Sequence, residues 1–253
     1  MDVMESTFGR NAVLRCKGTI TTSNVNLNDL ATAMIWSSIF NTAYFLDVSS
    51  SDVKDDGDPV GVGARVVRIV GLDVNYNRIY EDVTMNGRTA VTTTNKFLRV
   101  FSAFVMSAGS EIVNAGDIYV IKSASSTWTN GVPDALTSAC LKMVIGTNAA
   151  FSGLFTAPAG CYFKVGSLYV SSRTQAGTIT LVKANALDTT GKGPFAELKL
   201  ETSPGGGAPT PDYSITLKPK DDLYIQAIAV AASGILGFSA QIQQTAGRYY
   251  RGV

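Results

Sequence analysis

The stretch ARVVRIVGLDVNYNRIYEDVTM, residues 64–85, contains the pattern that decides the fold class. Its flanks, 64–72 and 78–85, are rich in Val, Ile and Tyr, which favour extended strands with half-buried faces. Between them, the run from Asp73 to Asn77 supplies the Asp and Asn residues that stabilise tight turns. Two strand-like segments joined by such a turn predict an antiparallel β-hairpin.

Strand signals continue outward from this hairpin. The dipeptide Asn86-Gly87 follows at once, and it is a strong signal for a further two-residue turn. Short strands separated by turns at regular spacing indicate an all-β sandwich or barrel. One helix is predicted at LNDLATAMIWSSIF, 27–40, with Asn28 or Asp29 as its N-cap. The other strand candidates are 97–107, 117–123, 162–172, 177–185, 195–202, 213–219, 222–231 and 236–245.

Turn-rich segments predict how the chain is divided. The run Ser125 to Ala135 is the clearest break between two strand-rich halves. The run SPGGGAPTP, 203–211, predicts a loop within the second half, because Pro and Gly weaken a β-ladder. We therefore predict an N-terminal arm with first strands at 1–60, a β-sandwich region at 61–135, and a C-terminal domain at 136–253.

The two halves also contain an internal echo. FLRVFSAFVMS, 97–107, resembles YFKVGSLYVSS, 162–172, and each is followed by a turn and a strand that starts near Gly116 or Gly177. The echo predicts that both halves contain the same strand-turn-strand hairpin, although two copies of so short a pattern also arise by chance.

Composition excludes the commonest catalytic chemistries. The chain has no His, which removes Ser-His-Asp and Cys-His pairs and every His-based metal site. Lys and Arg total 21 against 20 Asp and Glu, and this balance argues against a dedicated nucleic-acid or anionic-membrane surface. Charged residues make up 16%, against roughly 25% in average soluble domains. We therefore expect no enzyme and no cofactor, and we expect surface that is buried in an assembly.

The cysteines are an odd number and are widely spaced. Cys16, Cys140 and Cys161 form no C-x-x-C motif, and no His exists to activate any of them as a nucleophile. We expect buried free thiols that behave as small hydrophobic groups.

Two adjacent carboxylate pairs raise the alternative of glycoside hydrolysis. These are Glu81-Asp82 and Asp221-Asp222. Neighbouring residues on a strand point to opposite faces of a sheet, so Glu81 and Asp82 do not converge on one substrate if 78–85 is a strand. Asp221-Asp222 lies in a turn that leads into a strand. A carboxylate-dependent glycosidase is therefore the least favoured function, and we assign no catalytic residue.

The best metal candidate is the acidic loop DVKDDGDP, 52–59. Calcium prefers several oxygen ligands on a tight turn, and four carboxylates surround Gly57 here. An EF-hand loop that starts at Asp52 would require a Glu where the chain has Gly63, so that motif fails. The alternative is a solvated turn between strands. The four candidate ligands are Asp52, Asp55, Asp56 and Asp58.

The C-terminal tail is the candidate interface. Tyr and Arg are enriched at interface hot spots, and a tail beyond the last strand reaches a neighbouring subunit easily. The alternative is a frayed end with two solvent-facing aromatic rings. The four residues are Arg248, Tyr249, Tyr250 and Arg251.

The region 61–120 resembles virion structural proteins of tailed bacteriophages and related large DNA viruses. The resemblance rests on a G-x-G-A-R-x-V strand, a G-L-D-x-x-Y-N turn, a V-T-x-N-G hairpin and a T-T-T-N-x-(F/Y)-L-R strand, all present between Gly61 and Arg99. FTAPAGCYFKVGSLYV, 155–170, and LKPKDDLYIQA, 217–227, are similar to later strands of a viral jelly roll. Residues 1–60 match nothing in that pattern.

This resemblance implies an all-β fold of two β-sandwich or jelly-roll-like units with short turns and at most one short helix. It further implies a non-enzymatic virion protein, a minor capsid or cement (decoration) protein that stabilises the shell. The implied partners are the major capsid protein or other virion proteins and further copies of the chain, with a trimer favoured. We expect no direct nucleic-acid contact and no membrane, and a location in the virion after assembly in the host cytoplasm.

The alternative within the same setting is a tail, baseplate or fibre protein that binds host surface glycans. Trp128, in a loop rich in Thr and Asn, is the residue type that stacks on sugar rings.

Overall fold

The computed structural model of the chain is all-β over the residues that it describes, as predicted. The predicted helix at 27–40 lies outside the described residues. No helix within the described part has the length and hydropathy needed to span a bilayer. The described residues are 11–20, 25–26, 42–172, 177–185, 195–202, 207–209, 215–229 and 234–247.

Twenty strands occur in these ranges. They are β1 (Asn11–Ile20), β2 (Val25–Asn26), β3 (Leu46–Ser50), β4 (Ala64–Leu72), β5 (Arg78–Thr84), β6 (Val91–Thr92), β7 (Arg99–Ala108), β8 (Ile118–Lys122), β9 (Trp128–Thr129), β10 (Val132–Pro133), β11 (Ala139–Met143), β12 (Ala149–Phe151), β13 (Leu154–Thr156), β14 (Cys161–Ser172), β15 (Gly177–Asn185), β16 (Phe195–Thr202), β17 (Gly207–Pro209), β18 (Ile215–Leu217), β19 (Asp221–Ala229) and β20 (Gly234–Gly247).

The strands form two compact units. The inner unit is Met34–Ser152, and the outer unit combines Met1–Ala33 with Gly153–Val253. These units differ from the predicted division at 135/136, because Ser125 to Ala135 lies inside the inner unit. There β9 and β10 form a hairpin within the connection from β8 to β11. The turn-forming residues of 125–135 therefore belong to this hairpin and do not mark a boundary between the units.

The inner unit has the strand order of a jelly roll. Its two antiparallel sheets are β11-β8-β3-β6 and β12-β7-β4-β5. When the eight strands of a jelly roll are numbered along the chain, its sheets have the orders 1-8-3-6 and 2-7-4-5. The inner unit matches these orders if β3 takes position 3, β8 takes position 8, and β11 and β12 take positions 1 and 2. It is therefore a circularly permuted jelly roll.

The outer unit has the same strand order without permutation. Its sheets are β1-β20-β14-β17, with β18 also on β14, and β13-β19-β15-β16, with β2 also on β19. Position 2 is shared by β2 and β13, and position 6 by β17 and β18. Phe155 and Phe163 meet edge to face in this unit, with ring centroids 4.9 Å apart. Its buried side chains include Leu154, Val165, Ile215, Leu217 and Leu223.

The inner unit interrupts one strand of the outer jelly roll. Asn26 of β2 lies opposite Gln226, and Leu154 of β13 lies opposite Tyr224, so the two short strands continue one another along β19. Only the position opposite Ile225 separates them. The insertion thus occupies the place of a single residue in an edge strand, where it breaks few ladder hydrogen bonds.

The echo at 97–107 and 162–172 does not mark equivalent hairpins. The first segment overlaps β7, which takes position 7, whereas the second is β14, which takes position 3. The strands that follow, β8 and β15, lie in the other sheet of their units and pair with neither β7 nor β14. The duplicated-hairpin prediction is therefore wrong. In both places the chain instead passes from one sheet to the other between the two strands.

The hairpin at 64–85 is confirmed. Strands β4 and β5 pair antiparallel from Leu72 opposite Arg78 to Val66 opposite Thr84. The turn between them is closed by Asp73, whose Oδ1 accepts hydrogen bonds from the backbone N–H of Asn75 and of Asn77, each at 2.8 Å. The inner core beneath this hairpin includes the fully buried Leu46, Val48, Val67, Ile69, Leu72, Ile118 and Ile121.

Two turn predictions need correction. The Asn86-Gly87 turn joins β5 to β6, and these strands lie in different sheets, so it forms no hairpin. Three residues of the predicted loop 203–211 form strand β17, which pairs with β14 at the edge of its sheet. Pro209 is tolerated there because an edge strand leaves one row of backbone groups unpaired in any case.

Candidate interaction surface

The inner jelly roll has two ends of different character. The linker end is the end at which β3 begins and β12 ends, and it also contains the turn 73–77 and the segment 93–98. The segment 123–138, which contains the β9–β10 hairpin, also begins and ends at the linker end, because Lys122 lies opposite Leu46 at the start of β3. The antiparallel order of the strands places the remaining loops of the sandwich at the opposite end. We call this opposite end the distal end, and it comprises the loops 51–63, 85–90, 109–117 and 144–148.

A buried carboxylate joins three of the distal loops. Asp55 is fully buried. Its Oδ1 accepts hydrogen bonds from the backbone N–H of Ala64 at 2.6 Å and of Ala115 at 2.8 Å. Its Oδ2 accepts from Ser50 Oγ at 2.6 Å and from the backbone N–H of Gly116 at 2.9 Å. Its carbonyl also accepts from the backbone N–H of Gly87 at 2.8 Å, which ties in the 85–90 loop.

A reciprocal asparagine pair fixes the fourth loop. The backbone N–H of Asn114 donates to Asn148 Oδ1, and the backbone N–H of Asn148 donates to Asn114 Oδ1, both at 3.0 Å. Asn114 is fully buried, and its Nδ2 donates to the carbonyls of Gly116 at 2.7 Å and Val144 at 2.9 Å. Because buried amides of this kind are stable only when their bonds are satisfied, the two loops have one relative position.

An ion pair reinforces the same junction. Asp117 Oδ2 lies 2.7 Å from Lys142 Nζ, and its Oδ1 accepts from the backbone N–H of Ile145 at 2.9 Å. Burial lowers the pKa of Lys142, but hydrogen bonding and charge interaction with Asp117 and Tyr119 outweigh it and raise that pKa above its ordinary value. The distal loops are therefore held by buried polar contacts rather than by a local apolar core.

These fixed loops present large apolar side chains to solvent. Ile112 is 76% exposed, Val60 66% and Ile145 58%. Contiguous exposed apolar surface on a soluble domain commonly marks an interaction site. The exposed apolar residues of the distal end, which we call the distal patch, are Val53, Val60, Val62, Ile112, Val144 and Ile145, with Met106 beside them at the end of β7.

Ile112 is held in an unfavourable backbone conformation. Its φ of 56° lies in the left-handed region, where a β-branched side chain is a marked outlier. Such a residue costs on the order of 1–3 kcal/mol. The conformation is held by the Ile112 N–H, which donates to the Gly109 carbonyl at 3.0 Å, and by Asn148 Nδ2, which donates to the Ile112 carbonyl at 3.0 Å. Strain that is retained at an exposed apolar residue points to a role in contact with a partner.

The linker end is polar and aromatic by comparison. Glu81 accepts hydrogen bonds from the backbone and side chain of both Thr94 and Asn95, at 2.6 to 3.1 Å. Lys122 Nζ lies 3.8 Å from the ring centroid of Tyr44, and a hydrogen bond with Thr42 and the nearby Lys122 charge lower the pKa of that tyrosine. At the linker end, the rings of Tyr44 and Phe45 are thus partly covered by the ammonium groups of Lys122 and Lys96.

The four candidate calcium ligands do not converge. Asp55 directs both oxygens to the backbone and to Ser50, as described above. Asp52 Oδ1 accepts from the backbone N–H of Lys54 at 2.9 Å, and Asp56 Oδ1 accepts from that of Asp58 at 3.0 Å, each closing a local turn. Among the described residues, no group of three or more Cys, Asp or Glu side chains is arranged to hold a metal ion.

The two carboxylate pairs serve separate structural contacts. Asp82 forms an ion pair with Arg68, with Oδ1 2.5 Å from Nε, while Glu81 turns to the 93–98 segment. In the outer unit, Asp221 Oδ2 accepts from the backbone N–H of Lys218 at 2.9 Å, and Asp222 accepts from the Thr156 hydroxyl. Each of the four carboxylates thus holds a structural contact of its own.

The remaining sequence candidates have mixed outcomes. Arg248, Tyr249, Tyr250 and Arg251 lie outside the described residues. Trp128 is half-buried on the β9–β10 hairpin, whose tip packs its Gly131 against the Ser50 backbone.

The expectation of buried free thiols is confirmed for Cys140 and Cys161. Burial raises the pKa of both thiols. Only the backbone of Cys16, in β1, is described. A raised pKa keeps a thiol protonated at neutral pH, and a protonated thiol is a poor nucleophile.

Sequence reasoning missed the distal patch. The signal was present in AGSEIVNAG, 108–116, where two large apolar residues interrupt a run of turn-forming residues. Their exposure depends on which loops meet at one end of the sandwich, and that follows from strand order rather than from local pattern.

No protein-family model matches the chain, and no curated protein matches its sequence. Several solved structures show weak similarity, among them the following three. Eiger TNF from S. frugiperda is 10% identical, covering 84% of this chain and 99% of that chain, with a TM-score of 0.26. The cowpea mosaic virus empty virus-like particle is 7% identical, covering 84% and 86%, with a TM-score of 0.24. Infectious bursal disease virus, Gx strain, is 10% identical, covering 94% and 71%, with a TM-score of 0.23. Two of the three are structures of viruses, but scores this low establish no common fold.

Proposed function

We propose that this chain is a non-enzymatic structural protein of a virus particle, of the minor capsid or cement (decoration) type, which stabilises the shell through contacts between subunits. The observation that carries the proposal is the distal end, where rigidly held loops expose the distal patch. Its finer assignment to tailed bacteriophages and related large DNA viruses rests on the sequence resemblance of residues 61–120 alone.

Three physical properties support an assembly role. The inner jelly roll provides an antiparallel sandwich whose strand pairing positions the four distal loops. A charged fraction of 16% lowers the desolvation cost of packing subunits together. The buried bonds of Asp55 and Asn114 pre-organise the contact surface, so little conformational entropy is lost on docking.

The proposed partners are the major capsid protein or other virion proteins, together with further copies of this chain, with a trimer favoured. Neither nucleic acid nor membrane is among them. The proposed location is the virion, after assembly in the host cytoplasm.

The test is binding of the purified full-length chain to empty and mature particles of the virus that encodes it. We expect the chain to co-sediment with particles and to raise the temperature at which they release their genome. The matched variant Ile145→Asp places a charge in the distal patch and should weaken binding, whereas Val74→Asp, at the linker end, should not.

A chain that binds neither kind of particle would overturn the proposal. Recovery with the tail rather than the shell, together with binding to a glycan array, would favour the tail, baseplate or fibre alternative.

A further inference from the structure

We propose that the distal end is the surface through which copies of this chain associate with one another, with Ile112 in the contact. This inference rests on the proposed function, because it names the surface by which a particle protein of this kind would oligomerise. It does not depend on which other virion protein the chain contacts.

The size of the distal end suits such an interface. A standard protein–protein interface takes roughly 20–30 residues from each side. The non-buried residues of the four distal loops together provide a set of that size, which includes most of the distal patch. An apolar centre with a polar rim is the usual anatomy of a stable interface.

The conformation of Ile112 indicates what the surface is built for. Asn is the non-glycine residue that most readily occupies the left-handed region, and it would remove the strain at this position. The chain instead holds an apolar, β-branched side chain there, 76% exposed and fixed by Gly109 and Asn148. Within the isolated molecule such a side chain buries little, so its contribution comes from contact with another surface.

The charges around the distal patch favour a second copy as that surface. Lys54 pairs with Glu111 at 2.9 Å, and Lys142 pairs with Asp117 at 2.7 Å, so the two ion pairs of the rim are neutral. The whole chain has a net charge of +1, so copies do not repel each other strongly. A rim of nearly balanced charges complements itself when rotation sets a cation of one copy beside a carboxylate of the next. The rim residues are Lys54, Arg65, Arg88, Lys142, Asp52, Asp56, Asp58, Glu111 and Asp117.

The experiment compares the full-length chain with Ile112→Asn by sedimentation equilibrium over a wide concentration range. We expect the unaltered chain to form one defined oligomer, of three copies if the favoured trimer is correct. We expect Ile112→Asn to dissociate at least about tenfold more readily, as loss of a central interface residue does. Its thermal midpoint, measured at a concentration where both proteins are monomeric, should be equal or higher because the strain is relieved.

Val74→Asn is the matched control. Val74 is also an apolar residue in a turn, 61% exposed, but it lies at the linker end. This variant should associate like the unaltered chain.

A monomeric unaltered chain at high micromolar concentration would overturn the inference, as would an Ile112→Asn variant that associates with unchanged affinity. If the chain binds particles while remaining monomeric, the inference fails and the proposed function stands. If Ile112→Asn abolishes self-association but the unaltered chain binds no particle, the inference stands and the proposed function fails.

Discussion

Asp55 at the distal end and Glu81 at the linker end make the same number of side-chain hydrogen bonds in very different surroundings. Each carboxylate accepts four, and each uses them to hold loops. Asp55 is fully buried and joins segments up to 61 residues apart, whereas Glu81 is only half-buried and holds two adjacent residues. The number of hydrogen bonds therefore does not show which carboxylate contributes more to stability. That depends on whether the donor groups can find another acceptor once the carboxylate is removed.

Burial is the physical reason for this difference. If the carboxylate of Glu81 is lost, water can satisfy the donors of Thr94 and Asn95. If that of Asp55 is lost, the N–H groups of Ala64, Ala115 and Gly116 remain buried without an acceptor. A buried polar group without a partner is far more unfavourable than an exposed one.

Asp55→Asn should have the largest effect on stability. The amide has nearly the same shape but replaces one acceptor oxygen by a donor, which opposes the N–H groups that converge on it. We expect the free energy of unfolding to fall by about 3 kcal/mol, measured by urea denaturation. Asp52→Asn is the control, because its Oδ1 can still accept from Lys54 and close the local turn. A loss of unfolding free energy below about 1 kcal/mol for Asp55→Asn would contradict the role of Asp55 in joining three distal loops.

Asn114→Ala should rank second. It removes the two bonds that Nδ2 donates to Gly116 and Val144 and the acceptor that Oδ1 offers to Asn148. We expect a loss of about 2 kcal/mol in the same denaturation experiment, with faster amide exchange confined to the 109–117 and 144–148 loops. Asn75→Ala, at an exposed position of the linker end, should change neither quantity. Uniformly faster exchange across the inner unit would argue against a local role.

Glu81→Gln should have a small effect, although it alters as many hydrogen bonds as Asp55→Asn. The free energy of unfolding should fall by about 1 kcal/mol or less, because solvent replaces the lost contacts. Measurement under the same urea conditions provides the direct comparison. If the two substitutions were equally destabilising, burial would not be what separates the two ends.

Changes of pH near neutrality should have the smallest effect. The chain contains no His, so the thermal midpoint should stay nearly constant between pH 6 and 8. At higher pH, the raised pKa values of Cys140, Cys161, Tyr119 and Lys142 mean that the unfolded chain releases these protons first. Burial lowers the pKa of Arg78 to about 10, and this group contributes in the opposite direction. For the groups with raised pKa values the folded state then binds more protons, so their contribution to stability is complete below the ordinary pKa values and falls as the pH rises above about 9, first through the thiols.

Thermal scans from pH 6 to 11 would check this, with Lys142→Met removing the lysine's share of the alkaline loss. A shift larger than about 4 °C between pH 6 and 8, which corresponds to roughly 1 kcal/mol or more, would contradict the expectation.

Particular residues show how far sequence reasoning reached. The hairpin at 64–85 was predictable because its strands and its Asp73 turn are local. Of two Asn-Gly dipeptides, Asn130-Gly131 forms a two-residue hairpin turn, with φ of 51° and 76°, whereas Asn86-Gly87 carries the chain between sheets. The dipeptide favours a turn in both places. Whether the two strands beside the turn pair with each other or with distant strands depends on the strand order of the whole sandwich.

The candidate site shows the same limit. Asp55 was one of four aspartates named in the acidic loop as candidate calcium ligands, but its carboxylate accepts hydrogen bonds from the backbone of Ala64, Ala115 and Gly116. Two of those donors lie 60 and 61 residues away in the sequence, so no local pattern announces them.

The sequence by itself determined that this chain is all-β and that it lacks histidine chemistry, because strand alternation, turn residues and composition are local properties. Only the tertiary structure decided that one jelly roll is inserted into a single strand of another, and that four loops meet at one end with Ile112 exposed among them. Those features arise from pairing between strands far apart in the chain. The free energy that selects such pairings is the burial of whole sheet faces and their hydrogen bonds, to which no short segment contributes alone.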